Sequence, residues 1–407
     1  MLVIGVDLYM QKKVLLLALG LYLVSTALSY GVFSYVGRPG SISLPSDQTG
    51  DGAAEEASLV SLLEIDPNEP VDQPCPLDGK YYTQTEKTAW EKRRPLAVML
   101  ENTPDARPQS GLITADVVFE AVAEGGVTRF MAVYYCGVQR FDTTVAPVRS
   151  ARTYFVDWAS GFNWPLYAHV GGANIPGRSD ALGQLRQYGW VGENDLNQFS
   201  IGYPTFVRDY NRIPDKEIAT EHTMVTSTEK LWTVAADRDW TNLSPARKIA
   251  KSLTPESDWK AGYQGWAFEK EVPAKGAVNK ISYEFWTGYD EYALRWEYDP
   301  ASDSYQRFLA GQPHQDLETD KQITASNVVV LLTKEEGPIN EKLHMMYKTT
   351  GTGDALIFLH GEAIEGTWTK KTRESELEFK TDKGKEVEFA RGPIWISVIS
   401  LTNKVEY

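Results

Sequence analysis

Cysteine is almost absent from this 407-residue chain, which holds only Cys75 and Cys136. It has no C-x-x-C pair and no H-E-x-x-H motif, and its five histidines form no dense cluster with acids. The donor spacings that build zinc sites are therefore missing, and no metal or other cofactor is expected. G-x-S-x-G, the phosphate-binding P-loop and G-x-G-x-x-G are also missing, which removes the familiar hydrolase elbow and nucleotide-binding loops. S-x-x-K occurs at Ser227 to Lys230 and Ser257 to Lys260, but without S-D-N and K-T-G companions, so both matches read as chance. Basic residues are outnumbered 41 to 55, giving a formal charge of −14. A body of that sign repels nucleic acid, and no nucleic-acid partner is expected. No internal repeat of solenoid or propeller length is present.

Long apolar runs are scarce too, with one exception. Lys12-Lys13 precede an uncharged stretch over 14–36, followed by Arg38. At about 1.5 Å per residue this run is long enough to cross a hydrocarbon core of about 30 Å. The lysines before it predict a cytoplasmic amino terminus and an extracytoplasmic body. The alternative is a cleaved signal peptide ending near Ala27-Leu28-Ser29, but the run continues through Tyr30, Val32, Phe33 and Tyr35. No cysteine follows the run until Cys75, so lipid attachment there is disfavoured. Met1 to Tyr9 can be an upstream start before a second start at Met10.

The expected organisation is a cytoplasmic amino terminus (1–13), a transmembrane anchor (14–36), a disordered stalk (37–74), a mixed α/β domain (75–280) and a β-rich domain (281–407). The fold class is α+β. The stalk reading rests on Gly, Pro, Ser, Asp and Glu, which leave too little apolar surface to offset ordering entropy. Leu96 to Leu100, Asp116 to Glu124, Val127 to Cys136 and Leu166 to Val170 read as strands. Ser150 can cap a helix over 151–160, and a second helix covers 180–188. Helix signal also falls at 245–253, while 293–298, 305–309, 328–332, 355–359 and 395–399 read as strands. In an oxidising compartment the two cysteines are expected to form one bridge, the alternative being two unpaired buried thiols.

Several residues are candidates for chemistry. If Gly125-Gly126 is a two-residue turn, cross-strand partners sum to 251. Glu120, Glu124 and Arg129 then share one face, opposite Val117, Phe119, Ala121, Phe130 and Ala132. Such carboxylates flanking a guanidinium form either an acid/base pair with an anion clamp or an ion-pair ladder. Arg149 and Arg152 bracket the expected helix start, where free N–H groups and guanidinium forks favour an anion; the alternative is pairing with Asp116, Glu120 or Asp157. His169, before Gly171-Gly172 at a strand's carboxyl end, and His222 can transfer protons near neutral pH. Trp232, Trp240, Trp259, Trp266, Trp286 and Trp296 offer either indole faces for a sugar or core packing.

The motifs Arg94-Pro-Leu-Ala-Val-Met-Leu-Glu-Asn102, Ala106-Arg-Pro-Gln-Ser-Gly111, Glu124-Gly-Gly-Val-Thr-Arg-Phe130 and Pro147-Val-Arg-Ser-Ala-Arg152 resemble the YerB-like family of bacterial exported proteins and lipoproteins. Gly361-Glu-Ala-Ile-Glu-Gly-Thr-Trp368 and Gly392-Pro-Ile-Trp-Ile396 resemble its second domain. The resemblance implies two domains and brings no catalytic residues, the family's activity being unknown. It matches polar residues at Arg107, Gln109, Ser110, Asp116, Glu120, Glu124, Arg129, Arg149, Ser150 and Arg152, while Thr223 replaces an asparagine. The expected function is a cell-envelope binding or assembly module, with Arg107, Arg129, Arg149 and Arg152 holding an anionic ligand or protein partner. The alternative is a metal-independent hydrolase or transferase acting on envelope glycan or phosphodiester bonds, with Glu120, Glu124, His169 or His222 moving protons.

Overall fold

Helix α1 (Gln84–Trp90) starts where a capping box allows it. Thr83 accepts from the Glu86 N–H while the Glu86 carboxylate accepts from the Thr83 N–H. The computed structural model in which this is seen describes residues 61–249 and 252–407. The expected anchor at 14–36 and most of the stalk lie outside those residues. Among the described residues no helix is long and apolar enough to cross a membrane.

The stalk ends earlier than its composition suggests. Leu62 donates its N–H to Arg140 O, and Val71–Pro74 pairs with Tyr81–Thr83. A polar segment can order without a core of its own when a neighbouring body satisfies its backbone, as here.

Strands β1 (Leu96–Glu101), β2 (Val117–Glu124), β3 (Val127–Tyr134), β4 (Leu166–His169) and β5 (Asp195–Asn197) come from the first half. β6 (Lys280–Tyr283), β7 (Leu294–Asp299) and β8 (Ser304–Leu309) form the centre of a smaller antiparallel sheet. β9 (Asn327–Thr333), β10 (Gly351–Leu359), β11 (Glu362–Lys370), β12 (Glu378–Thr381) and β13 (Ile394–Ser400) follow. The large sheet runs β12-β11-β10-β9-β13-β2-β3-β1-β4-β5. Its middle joins the two halves, because β13 lies parallel to β2 from Ile394↔Val117 to Ser397↔Glu120. The expected boundary at 280/281 is therefore no break in the architecture. Ten strands from both sides of it make one sheet.

Each face of that sheet is covered, which is why β1 is buried along its whole length. Helix α2 (Thr153–Ala159) lies on one face, with Trp158 stacked on Phe119 at 5.8 Å between ring centroids. Such pairs contribute about 0.5–1.5 kcal/mol beyond their burial. The small sheet covers the other face, where Trp296 meets Trp395 at 5.4 Å. Trp232, Trp240, Trp259 and Trp296 are all buried, so packing rather than sugar binding accounts for those indoles. α3 (Ala181–Gln187) and α4 (Thr228–Asp237) complete the first half. Within the helix expected at 245–253, residues 247–249 are instead extended and pair antiparallel with 252–254, with Arg247↔Thr254 and Ile249↔Ser252 as partners.

Candidate functional site

Gly125 and Gly126 both take positive φ, 46° and 92°, as a two-residue hairpin turn requires. Glu124 pairs with Val127, the register expected from that turn. One residue further the ladder changes: Val122 pairs with Thr128 and Glu120 with Phe130, leaving Ala123 as a bulge. An extra residue on one strand reverses the facing of everything beyond it. Glu120 therefore shares its face with Thr128 and Phe130 rather than with Arg129. Arg129 stands on the opposite face beside Ala121 and Glu101. The expected grouping of Glu120, Glu124 and Arg129 holds only for the last two.

On the Arg129 face, the carboxyl ends of β1, β2 and β4 bring three guanidinium groups together with two carboxylates. Glu124 accepts from Arg129 Nη2 at 3.0 Å and forms an ion pair with Arg152. Arg129 Nη1 also donates to Ser150 O at 2.9 Å, and Arg152 Nη1 to Ala151 O at 2.7 Å. Glu101 lies 3.2 Å from Arg149 Nε and 2.8 Å from His222 Nδ1. Burial lowers the affinity of all three arginines for their protons, Arg152 to about 10, which still leaves Arg152 charged at neutral pH. His344, bridged to Glu124 through its backbone, is pushed down to about 4 by burial and then by Arg152 and Arg129, so it is neutral. Three guanidinium groups face the carboxylates of Glu101 and Glu124, and Glu221 also acts on Arg149.

The donors are not used up. Among the described residues, the buried Nε groups of Arg129 and Arg152 have no hydrogen-bond partner, nor has the buried hydroxyl of Tyr167, whereas Arg149 Nε faces Glu101. Buried donors are ordinarily paired, so two orphans on neighbouring guanidinium groups call for an acceptor. Arg149 is the outlet to solvent: 28 % of its side chain is exposed, and its contact with Glu101 engages only Nε. The helix start differs from expectation. Arg152, not Ser150, is the N-cap of α2 and makes no side-chain cap. Residues before it are held extended because Ala151 donates to Gly171 O and Val170 to Arg149 O.

Other candidates lie elsewhere. The Glu120 carboxylate is wholly buried and accepts from Arg307 Nη2 at 2.8 Å and Trp395 Nε1 at 3.2 Å. It also accepts from Thr128 Oγ1 at 3.0 Å. Arg107 is spent on Asn102, on Glu291 O and on the Tyr292 ring, away from the cluster. His169 is fully buried with Nδ1 2.6 Å from Gly171 O and Nε2 2.6 Å from Asp195 Oδ1, leaving neither ring nitrogen for a substrate. Cys75 and Cys136 are bonded to each other, so the nearby Asp116 does not complete a metal site with them. Sequence reasoning missed Glu101 and His344. An acid ending the otherwise apolar run Leu96 to Leu100 was a usable signal for Glu101; His344 arrives through tertiary contact alone.

Comparison with known proteins adds family context. Residues 82–241 match the family described as "Protein of unknown function (DUF3048) N-terminal domain", and residues 282–396 match its C-terminal domain. The chain is 29% identical over 331 residues to the "Putative lipoprotein YerB" of Bacillus subtilis (strain 168), covering 80% of this chain and 86% of that one. The crystal structure of the YerB protein from Bacillus subtilis superposes with a TM-score of 0.62 at 25% identity, covering 82% of this chain and 99% of that one.

Proposed function

We propose that this chain, which belongs to the two-domain YerB-like family of unknown function, is a membrane-anchored, extracytoplasmic binding or assembly module. Its ligand is an anionic group, on an envelope polymer or a partner protein, taken up through Arg149. The observation that carries this reading is the pair of unpartnered buried Nε donors at Arg129 and Arg152 behind Arg149, which meets Glu101 only through Nε and is open to solvent. Guanidinium forks bind carboxylate and phosphate bidentately, and low local polarity strengthens each contact. Anchoring draws support from the apolar run at 14–36 and from the name of the Bacillus subtilis relative, "Putative lipoprotein YerB".

The distribution of acid/base groups favours binding over turnover. Glu120 faces the other side of the sheet, Glu124 is held by two arginines, His169 is saturated, and His222, although in the cluster, is buried with Nδ1 engaged by Glu101. A hydrolase needs such groups converging on one wet pocket.

The test is a thermal-shift titration of the protein with a polyglycerol phosphate and with muropeptides, beside Arg149→Ala. A ligand at a hundredfold excess over Kd raises stability by about 2.7 kcal/mol. Arg149→Ala should abolish that shift while lowering the unliganded midpoint only modestly, since the side chain is part-exposed and Glu101 keeps its contact with His222. A shift that persists in Arg149→Ala, or no shift with any anion, would sink the reading.

A further inference from the structure

We infer that a second cleft, at the open edge of the large sheet and separate from Arg149, binds a single sugar unit bearing a phosphate or carboxylate. The cleft has a volume of about 360 Å³ and is lined by Leu182, Arg186, Val191, Asn197, Ser200 and Arg238. It runs along the edge strand β5, from Val191 and Asp195 on the amino side to Asn197 and Ser200 on the carboxyl side. Its volume stands at the small end of the range for ligand sites, which suits one hexose rather than a polymer or a dinucleotide.

Arg186 lies in the last turn of α3 and Arg238 caps the carboxyl end of α4. Helix carboxyl ends stabilise cations, so both positions hold a guanidinium without needing an acid. Among the described residues neither forms an ion pair or a side-chain hydrogen bond, although the chain carries an excess of acids. Arg238 is steadied by stacking over the Trp240 ring at 4.9 Å. Two unpaired guanidinium groups lining one small cavity supply the donors an anionic substituent requires.

The remaining walls fit a sugar body. The Asn197 side-chain oxygen is spent on the N–H groups of Gly171 and Phe199, which fixes the side chain and leaves its amide N–H₂ to donate to a hydroxyl. Ser200 Oγ donates to Asn197 O and keeps lone pairs for a second hydroxyl. Leu182 and the 54% exposed Val191 give an apolar wall for the C–H face of a ring. Asp195 also borders the cleft, but its carboxylate is 2.6 Å from His169 Nε2, which occupies one of its oxygens.

Calorimetric titration of the full chain with glucose 1-phosphate, glucuronate, glucose and inorganic phosphate tests this inference. At least one anionic sugar should bind about tenfold or more tightly than glucose and than inorganic phosphate. The two anions distinguish a phosphate from a carboxylate substituent. Arg186→Gln and Arg238→Gln should each weaken that binding about tenfold with an unchanged far-UV spectrum, and Arg149→Ala should leave it unaltered. Binding no tighter than that of glucose or inorganic phosphate would overturn the inference. So would binding that survives the double variant, or loss in Arg149→Ala alone, which would transfer the ligand to the Arg149 site.

Discussion

Replacing Glu120 by Gln tests whether the two halves of the chain are held by a buried charge pair. Glu120 and Arg307 are both fully buried, 2.8 Å apart and 187 residues apart in sequence. The Arg307 guanidinium lies 4.1 Å over the Trp395 ring, and its Nε donates to His314 Nδ1 at 2.9 Å. Burial and the neighbouring arginines push the His314 pKa well below its usual value, so its ring is neutral and can accept that bond. Gln keeps the shape of Glu but removes the counter-charge, and its N–H₂ must confront donors already aimed at the carboxylate. Breaking one side of such a pair costs about 3–5 kcal/mol. Arg307→Met should cost a similar amount by stranding the carboxylate. The double variant removes both charges, so its loss should fall short of the sum by about 2 kcal/mol or more. Urea unfolding followed by tryptophan fluorescence and by far-UV circular dichroism measures all four forms and shows whether each unfolds in one transition. A cost below about 1 kcal/mol for Glu120→Gln, or additivity within about 0.5 kcal/mol, would refute the reasoning.

The pH dependence near the disulfide has an unusual sign. Burial raises the Asp78 carboxyl from 3.8 to about 6 and also raises the neighbouring Asp116. A carboxyl whose folded pKa is raised favours folding most below its unfolded pKa, and that contribution is lost as pH rises from about 4 to about 6. Stability from this site should therefore fall by about 3 kcal/mol across that window, and Asp78→Asn should flatten the fall and raise the midpoint at pH 7. An unaltered pH profile in Asp78→Asn would remove Asp78 as the cause. Cys75→Ser should cost about 4 kcal/mol, because the bridge to Cys136 closes a loop of 61 residues and restricts the unfolded chain. Equal urea midpoints for Cys75→Ser and the parent under oxidising conditions would contradict this.

Much of the strand content was legible because it is local. The Gly125-Gly126 turn, the apolar runs at 328–332 and 395–399, and the Asp180 cap of α3 each carry their signal within a few residues. The errors have equally specific causes. The bulge at Ala123 lies inside an apolar stretch with no marker, yet it decides that Glu120 meets Arg307 rather than Arg129. Ser150 is a good capping residue, but the backbone bonds of residues 149–151 to 170–171 keep it extended. The antiparallel pairing of 247–249 with 252–254 overrides a weak helix preference.

The sequence by itself determined the family, the absence of the familiar zinc and nucleotide motifs, the acidic balance and the order of local elements, since each depends on residue type and short spacing. Only the tertiary structure decided that the two family domains share one sheet, through parallel pairing of β2 with β13. Parallel partners far apart in the chain leave no local mark. The placement of charge was decided there as well. Which side of a strand faces which neighbour turns on a single residue of register, and three arginines become a site only when separate strands end beside one another.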